Sequence, residues 1–206
     1  MSVDKIILRA FLTTLASIAI LFLFMLTALV CVYPQTMMSL TYDLGMENAS
    51  IWFAEISYDR FHDVYYIAHA TEVAIGQQDY KKIESCGELL IDDEEFDEFS
   101  AKKTENMPTE AEMSYQQYVY GQVCIAKYER GMADKAIERA FASIVKENGE
   151  FAFPKNNAVV AVLITALRNG DGDTVGKIRE KMNMQTQVST EDQEYFEDIL
   201  ALIESE

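Results

Sequence analysis

The chain has few side chains of the kinds that usually carry out catalysis or hold a metal. Its 206 residues include two histidines and three cysteines, with no CxxC motif and no Cys/His pair at a metal-ligand spacing. His62 and His69 are seven residues apart on one predicted helix, which separates them by about 10 Å, too far for one metal ion. No nucleophile elbow, P-loop or dinucleotide-binding fingerprint occurs. The sequence therefore predicts a protein that is not an enzyme and needs no metal or cofactor.

Proline, glycine and positive charge are also scarce. Three prolines and nine glycines argue against a disordered chain, and no segment alternates polar and apolar residues over the length of a strand. The formal net charge is −17, and Asp4 is the only acidic residue before Asp43. Such an acidic body is repelled by nucleic acid and by anionic lipid. These deficits predict an all-α protein that binds no nucleic acid, and whose acidity either serves solubility or attracts a basic protein partner.

The cysteines allow two interpretations. Cys31 lies in the apolar N-terminal stretch, whereas Cys86 and Cys124 lie in the acidic body. An oxidising compartment would permit a disulfide between the latter two. Because free cysteine packs well in cores, we favour the alternative that both are small buried apolar side chains.

The longest apolar stretch covers residues 10–33, which contain no charge. As a helix it would extend about 36 Å, enough to cross roughly 30 Å of hydrocarbon. A cleaved signal has an apolar core of about 7–15 residues followed by small residues at the cut, whereas this stretch leads into Ala28-Leu29-Val30-Cys31. We therefore expect an anchor that is retained.

The flanks of this stretch predict its orientation. Lys5 and Arg9 precede it, and the next basic residue is Arg60. The positive-inside rule then predicts a single-pass protein of the cell membrane. Residues 1–9 would form a cytoplasmic tail, and the C-terminal domain would be extracytoplasmic.

Three hydroxyl side chains, those of Thr13, Thr14 and Ser17, lie on or near one face of the predicted membrane helix. They either contact a partner helix in the membrane or donate hydrogen bonds to their own backbone. We slightly favour the second arrangement.

The remainder is expected to comprise a juxtamembrane linker over residues 34–47 and a helical domain over residues 48–206. Capping residues mark the helix starts. The first helix is predicted over residues 48–75, and the acidic run at residues 92–98 is predicted to be a solvated turn. Further helix starts are expected at Asp79, Thr109, Asn156 or Asn157, Asp173 and Thr190. The result is three helical hairpins followed by a terminal helix.

Three of the turns share one sequence frame. "GMADKAI" begins at Gly131 and "GDGDTVG" at Gly170, and each places an Asp three residues after the Gly and a small or branched apolar residue five after it. "QDYKKI" at Gln78 has the same frame in its apolar residue, Ile83, five positions on, although its Asp79 follows Gln78 directly. The pattern resembles tetratricopeptide (TPR) repeats, whose helix–turn–helix units carry a Gly-Asp-Tyr-like turn followed by a small apolar residue. The resemblance covers about residues 65–183, and the long first interval implies an insertion at the acidic run.

TPR-like arrays stack their hairpins into one core, and the first helix of each unit contributes to an inner surface that receives a peptide or a partner helix. The resemblance implies that the final helix is a cap and that partner-binding residues lie on this inner surface. They are Tyr65, Glu72, Tyr118, Ile125, Tyr128, Asn157, Ile164 and Arg168. Core packing is the alternative for the aromatic members. Only Arg168 offers positive charge, so a clamp for an acidic C-terminus is not expected.

Two classes of function fit this architecture. The first is a membrane-anchored extracytoplasmic protein-interaction module, an accessory or scaffold subunit of a larger membrane complex. The second is an extracytoplasmic sensor or small-molecule-binding domain with a pocket among the tyrosine-rich helices. The short cytoplasmic tail has few residues with which to signal through the membrane, and this favours the first class of function. The expected partner is then a membrane-complex protein of basic character.

Overall fold

The computed structural model describes residues 3–107, 113–144, 156–184 and 189–204. Within these ranges the chain forms α-helices and no strand, which confirms the predicted all-α class. The chain divides into two compact units, which are called unit 1 (Met1–His62) and unit 2 (Asp63–Glu206) below.

Unit 1 is a long apolar helix followed by two shorter ones. These helices are α1 (Val3–Val32), α2 (Pro34–Asp43) and α3 (Glu47–Phe61). Pro34 occupies the first turn of α2, where a missing N–H costs nothing. The buried side chains of Met38 and Phe53 lie on α2 and α3, which pack together, and Ser50 Oγ donates a 3.0 Å hydrogen bond to the Met38 carbonyl. The predicted linker over residues 34–47 is therefore mostly helical, because it has an apolar partner in α3.

Unit 2 is built from helices that pack in consecutive pairs. Its helices are α4 (Val64–Gln77), α5 (Tyr80–Ile91), α6 (Phe96–Glu105), α7 (Tyr115–Glu129), α8 (Ala133–Ala142), α9 (Ala158–Arg168), α10 (Gly172–Asn183) and α11 (Thr190–Glu204). The pairs are α4 with α5, α7 with α8, and α9 with α10. Contacts of α5 with α7, and of α7 with α9, join each pair to the next, and α11 packs on α9. A core cluster runs from Cys124 on α7 to Leu200 on α11.

The turns within the three pairs have the same backbone geometry. Gln78, Gly131 and Gly170 follow α4, α7 and α9 with φ of 57°, 77° and 67°, the left-handed region that favours glycine. In each turn the next residue donates its backbone N–H to the carbonyl five residues earlier, at 2.9–3.1 Å, as in a Schellman-type helix end. The sequence frame shared by these three positions thus corresponds to a shared structure.

The single helix predicted over residues 48–75 is wrong, because the chain breaks at His62. This residue has φ of 51°, and the side chain of Asp63 accepts a 2.9 Å hydrogen bond from the Tyr65 N–H to start α4. The apolar pattern of the sequence continues across the break, so it gives no sign of the cap at Asp63. His62 and His69 therefore do not share a helix, and the distance of about 10 Å expected from their spacing on one helix does not apply.

The acidic run at residues 92–98 is in part the predicted solvated turn, since residues 92–95 form a turn and most of the acidic side chains are exposed. Its second half begins α6, and Phe96 is only 2% exposed with its ring 6.5 Å from that of Tyr120. The Phe96 side chain packs this segment against the core. The insertion in the first interval is therefore a packed helix that contacts α4 and α7.

Most of the other helix starts agree with the sequence. Those at Asp79, Asn157 and Thr190 are confirmed, and α10 begins at Gly172, one residue before the predicted start. The predicted start at Thr109 lies outside the described residues. A capping box between Ser114 and Gln117 begins α7.

Candidate functional site

The first helix has the length and composition needed to cross a membrane. Its portion Ile7–Val32 has 26 residues, reaches a mean hydropathy of 2.8 and has none of its most apolar stretch buried within the protein. At about 1.5 Å per residue it extends roughly 39 Å, more than the hydrocarbon core of a bilayer. The chain thus has one N-terminal helix that is long and apolar enough to span a membrane.

The hydroxyl groups of this helix bond within it. Thr13, Thr14 and Ser17 donate hydrogen bonds of 2.9–3.0 Å to backbone carbonyls three or four residues earlier. Of the two arrangements that the sequence allows, the structure has the second. Each hydroxyl is satisfied inside its own helix, so none of them requires a partner helix.

Arg60 lies beside the end of the apolar helix. From the last turn of α3 it donates to the backbone carbonyl of Cys31, which is 29 residues earlier in the chain. The last carbonyls of a helix carry partial negative charge, so a guanidinium there is favourable. A positive charge therefore sits close to the C-terminal end of the span. The difference in positive charge between the two ends of the span is smaller than the linear sequence indicates.

In unit 2, a groove of about 190 Å³ runs between α7 and α9. Its lining includes Tyr118, Gly121, Gln122, Ile125, Ala161 and Ile164, and these residues define the α7–α9 groove. Tyr118 and Ile125 are seven residues apart and share one face of α7, while Ile164 faces them from α9. Asn157 also reaches the lining. The structure therefore brings together four of the eight predicted partner-binding residues.

Small residues set the depth of this groove. Gly121 is buried, and a Cβ built on it would lie 3.5 Å from the Cβ of Ala161, an ordinary contact distance. Two small residues facing each other allow α7 and α9 to approach closely, and the larger side chains of Tyr118 and Ile164 then form the walls. The groove is thus a shallow apolar surface bordered by amides, and the described residues that line it carry no charged side chain.

Two of the predicted binding residues have structural roles. Asn157 is 1% exposed, and its side chain caps α9 by accepting from the N–H groups of Val159 and Val160. The phenol of Tyr128 donates a 3.1 Å hydrogen bond to Asp171, which caps α10. Both residues hold helix ends in place, and the hydroxyl of Tyr128 is directed to the turn before α10.

The remaining three predicted residues do not line the groove. Tyr65 is 50% exposed and packs edge-on against Tyr66 at a centroid distance of 5.8 Å. Arg168 is exposed at the end of α9. The Glu72 carboxylate is hydrogen-bonded to Lys103 on α6 and to Tyr115 on α7, so the insertion covers α4 at this point.

The surroundings of Glu72 form a polar cluster that sequence reasoning missed. Its Oε1 atom accepts hydrogen bonds from Lys103 Nζ at 2.9 Å and from the Tyr115 hydroxyl at 2.8 Å. Burial and the Glu72 carboxylate raise the pKa of Tyr115 and of Tyr118, because both disfavour a phenolate. Burial lowers the pKa of His69, against the opposing effect of Glu72. These contacts join residues 31 and 43 positions apart, which no local pattern reveals.

A second set of charges is structural. Lys127 on α7 lies 3.3 Å from Glu84 and 3.1 Å from Glu88 on α5, and Arg139 on α8 lies 2.8 Å from Glu88. The side chains of Lys127 and Glu84 are only 13% and 18% exposed. This network connects the first helical pair to the second.

The two cysteines of unit 2 agree with the packing interpretation. Cys86 and Cys124 form no disulfide and are fully buried. Burial raises the pKa of Cys124 to about 12, so its thiol is neutral and unreactive at physiological pH.

No protein-family model, curated protein or solved structure matches the chain. Its class is therefore defined by its own geometry. It is an all-helical protein with an N-terminal helix suited to crossing a membrane, a short helical pair after it, and a multi-helix unit that carries the α7–α9 groove.

Proposed function

We propose that the protein is a membrane-anchored protein-interaction module, an accessory or scaffold subunit of a larger membrane complex. In this proposal unit 2 is a TPR-like array outside the cytoplasm, and a protein segment binds in the α7–α9 groove. The observation that carries the proposal is the groove itself. Residues placed on the inner surface by the TPR resemblance, Tyr118, Ile125 and Ile164, meet there from two successive helical pairs.

The repeated turns support the TPR-like architecture. Gln78, Gly131 and Gly170 end the first helix of each pair in the same left-handed conformation. Ile83, Ala136 and Val175 lie five residues after them and are all buried. A repeated turn followed by a repeated core contact is what stacked helical hairpins require.

The shape of the groove favours a protein segment over a small molecule. Small-molecule pockets usually measure about 300–1,000 Å³ and enclose most of the ligand, whereas the α7–α9 groove measures about 190 Å³. An apolar wall with a tyrosine is suited to one or two side chains of a longer segment, since tyrosine offers a large amphipathic contact area. Other clefts of unit 2 measure about 410–490 Å³, but they lie open to solvent and do not enclose a ligand, so the sensor alternative has the weaker support.

The charge of the chain supports a basic partner. With a net charge of −17, the protein would attract a positively charged segment and accelerate its encounter at low salt. Lys103, Lys127 and Arg139 are paired with carboxylates in unit 2, so they offer little positive charge to an acidic partner.

Co-purification from mild detergent tests the groove. The double variant Tyr118→Ala, Ile125→Ala removes one wall, and Tyr65→Ala, an exposed tyrosine away from the groove, is the matched control. Loss of interface hot spots costs about 2 kcal/mol or more, roughly 30-fold in Kd. We expect the double variant to lose a partner that Tyr65→Ala retains, with unchanged helical circular dichroism. Retention of every partner by the folded double variant would place the interface elsewhere.

The orientation has its own test. Lys5 and Arg9 outnumber Arg60 at the ends of the span, so we propose that the N-terminus is cytoplasmic. Protease added to intact cells should then digest unit 2 and leave an N-terminal tag protected. Protection of unit 2 in intact cells would contradict the proposal and indicate that unit 2 is on the cytoplasmic side.

A further inference from the structure

Three groups of different chemistry converge on one ammonium in unit 2. Lys103 Nζ lies 2.9 Å from Glu72 Oε1, 5.7 Å from the centroid of the Phe99 ring and 5.6 Å from that of Tyr115. The two rings are 5.9 Å apart and inclined at 71°. They make two walls of a corner whose third wall is a carboxylate, which we call the Glu72 corner. Aromatic faces and a carboxylate all attract a cation.

The walls of this corner are held without the help of Lys103. Tyr115 is 4% exposed, its hydroxyl donates a 2.8 Å hydrogen bond to Glu72, and its backbone N–H donates to Thr104 Oγ1 at 2.9 Å. Phe99 sits one turn after the buried Phe96 on α6. The corner is therefore preorganised by contacts that remain when the lysine is replaced.

Lys103, in contrast, is a replaceable occupant. The side chains of Lys103 and Glu72 are 37% and 39% exposed, whereas Lys127, which joins α5 to α7, is 13% exposed. A solvent-accessible ion pair contributes on the order of 0–1 kcal/mol, and a lysine has a flexible four-carbon stem. An ammonium arriving from solution can take the same position while Lys103 moves into water.

The corner also adjoins the α7–α9 groove. The rings of Tyr115 and Tyr118 are 6.4 Å apart, and Tyr118 lines the groove. We propose that the Glu72 corner is a binding site for a lysine side chain of the protein partner, which Lys103 fills while the partner is absent. This inference rests on the proposed function for the source of the cation, and it gives the basic partner a specific contact.

Amine titration of the full chain in detergent micelles tests the corner separately from the partner. Butylammonium chloride is the probe, since it has the stem and charge of a lysine side chain, and sodium chloride keeps the ionic strength constant. The shifts of carbon-13-labelled phenylalanine and tyrosine rings are followed by NMR. 1-Butanol provides the same hydrocarbon without the charge.

The variant Lys103→Gln empties the corner, and Lys102→Gln is the matched control, because Lys102 is 70% exposed and pairs with Glu98 on the surface. A tethered occupant competes at an effective concentration of about millimolar or more, so we expect Lys103→Gln to saturate at roughly tenfold lower butylammonium than the wild type or Lys102→Gln. The Phe99 and Tyr115 rings should shift. Adding Glu72→Gln to Lys103→Gln should abolish saturation, and butanol should produce no saturable shift.

Equal saturation in Lys103→Gln and Lys102→Gln overturns the proposal, and so does a response that survives the removal of the Glu72 charge. If Lys103→Gln disturbs the ring signals before any amine is added, Lys103→Met, which keeps an apolar stem, is titrated instead. Disturbance in both variants would show that Lys103 is a wall of the corner and not its occupant. A negative result in the amine titration does not refute the proposal that a partner binds in the α7–α9 groove, because the co-purification test with Tyr118→Ala, Ile125→Ala is independent of it.

Discussion

The contact between the first and second helical pairs can be tested with one methyl group. Gly87 on α5 is buried, and a Cβ built there would lie less than 3.0 Å from Cγ2 of Val123 on α7. Val123 is fully buried, and a β-branched side chain in a helix has one preferred rotamer. Gly87→Ala therefore forces α5 and α7 apart, because Val123 cannot turn away.

Two opposing contributions determine how much Gly87→Ala changes the free energy of unfolding. Alanine is better than glycine in a helix by about 1 kcal/mol, whereas overpacking a core costs about 1–3 kcal/mol. We expect Gly87→Ala to destabilise unit 2 by a net amount of up to about 2 kcal/mol. Gly176 on α10 is the matched control, since a Cβ there meets nothing within 4 Å. Gly176→Ala should stabilise by about 0.5–1 kcal/mol.

Urea unfolding of the full chain in micelles, followed by circular dichroism, provides the measurement. With a urea m-value of about 2 kcal/mol/M, the clash alone separates the midpoints of the two variants by roughly 0.5–1.5 M. Val123→Ala removes the clashing methyl, so Gly87→Ala should become neutral or stabilising in that background. If Gly87→Ala alone stabilises as much as Gly176→Ala, the close packing of α5 on α7 is refuted.

Two further predictions concern the helix end at the groove and the polar cluster around Glu72. Asn157→Ala removes the cap that accepts from Val159 and Val160 and should cost about 1 kcal/mol in urea unfolding, whereas Asn157→Asp should keep most of that stability; equal losses would contradict a capping role. Burial lowers the pKa of His69 in the folded protein, with Glu72 opposing, so stability is fully present above the unfolded pKa of about 6.5 and is lost as pH falls toward the folded value. The urea midpoint should therefore fall more between about pH 7.5 and pH 5.5 in the wild type than in His69→Gln. An equal fall in the two proteins would show that His69 does not contribute to the pH dependence of stability.

The helical class and most helix starts follow from the sequence because they depend on local chemistry. A cap such as Asp79 or Asn157 acts on N–H groups two or three residues away, so its signal and its effect lie in the same short window. The shared turns at Gln78, Gly131 and Gly170 are local in the same sense.

The helix break at His62 and the packed insertion α6 could not be predicted in this way. The residues on both sides of His62 continue one apolar pattern, and the break depends on a single left-handed residue that is not glycine. In the acidic run, the charges of residues 92–98 suggested solvent, while the burial of Phe96 decides the structure. The second error arises because a tertiary contact overrides the local composition, whereas the first arises because the apolar pattern outweighed a local cap at Asp63.

The groove was partly predictable for a related reason. Tyr118 and Ile125 are placed on one face of α7 by helical spacing alone, and the repeat frame puts Ile164 at the position equivalent to Ile125. Tyr128 and Asn157 have positions of the same kind, but hydrogen bonds to the next turn and to the α9 backbone give them structural roles. Position in a repeat therefore identifies a surface, whereas the partners of each polar atom decide which residues are free to bind.

If unit 2 is the proposed TPR-like array, the insertion changes where a partner can bind to it. In an uninterrupted stack the first helices of all pairs would share the inner surface, but here α6 contacts both α4 and α7 and Lys103 neutralises Glu72. The apolar part left open lies between α7 and α9, where Gly121 and Ala161 allow a close helix approach. A partner bound in this groove would contact Tyr118, whose ring lies 6.4 Å from that of Tyr115 in the Glu72 corner. If α6 governs access of the partner to the groove, replacing Lys103 should alter the affinity for the partner without altering the groove. This result would separate the role of the insertion from that of the repeats.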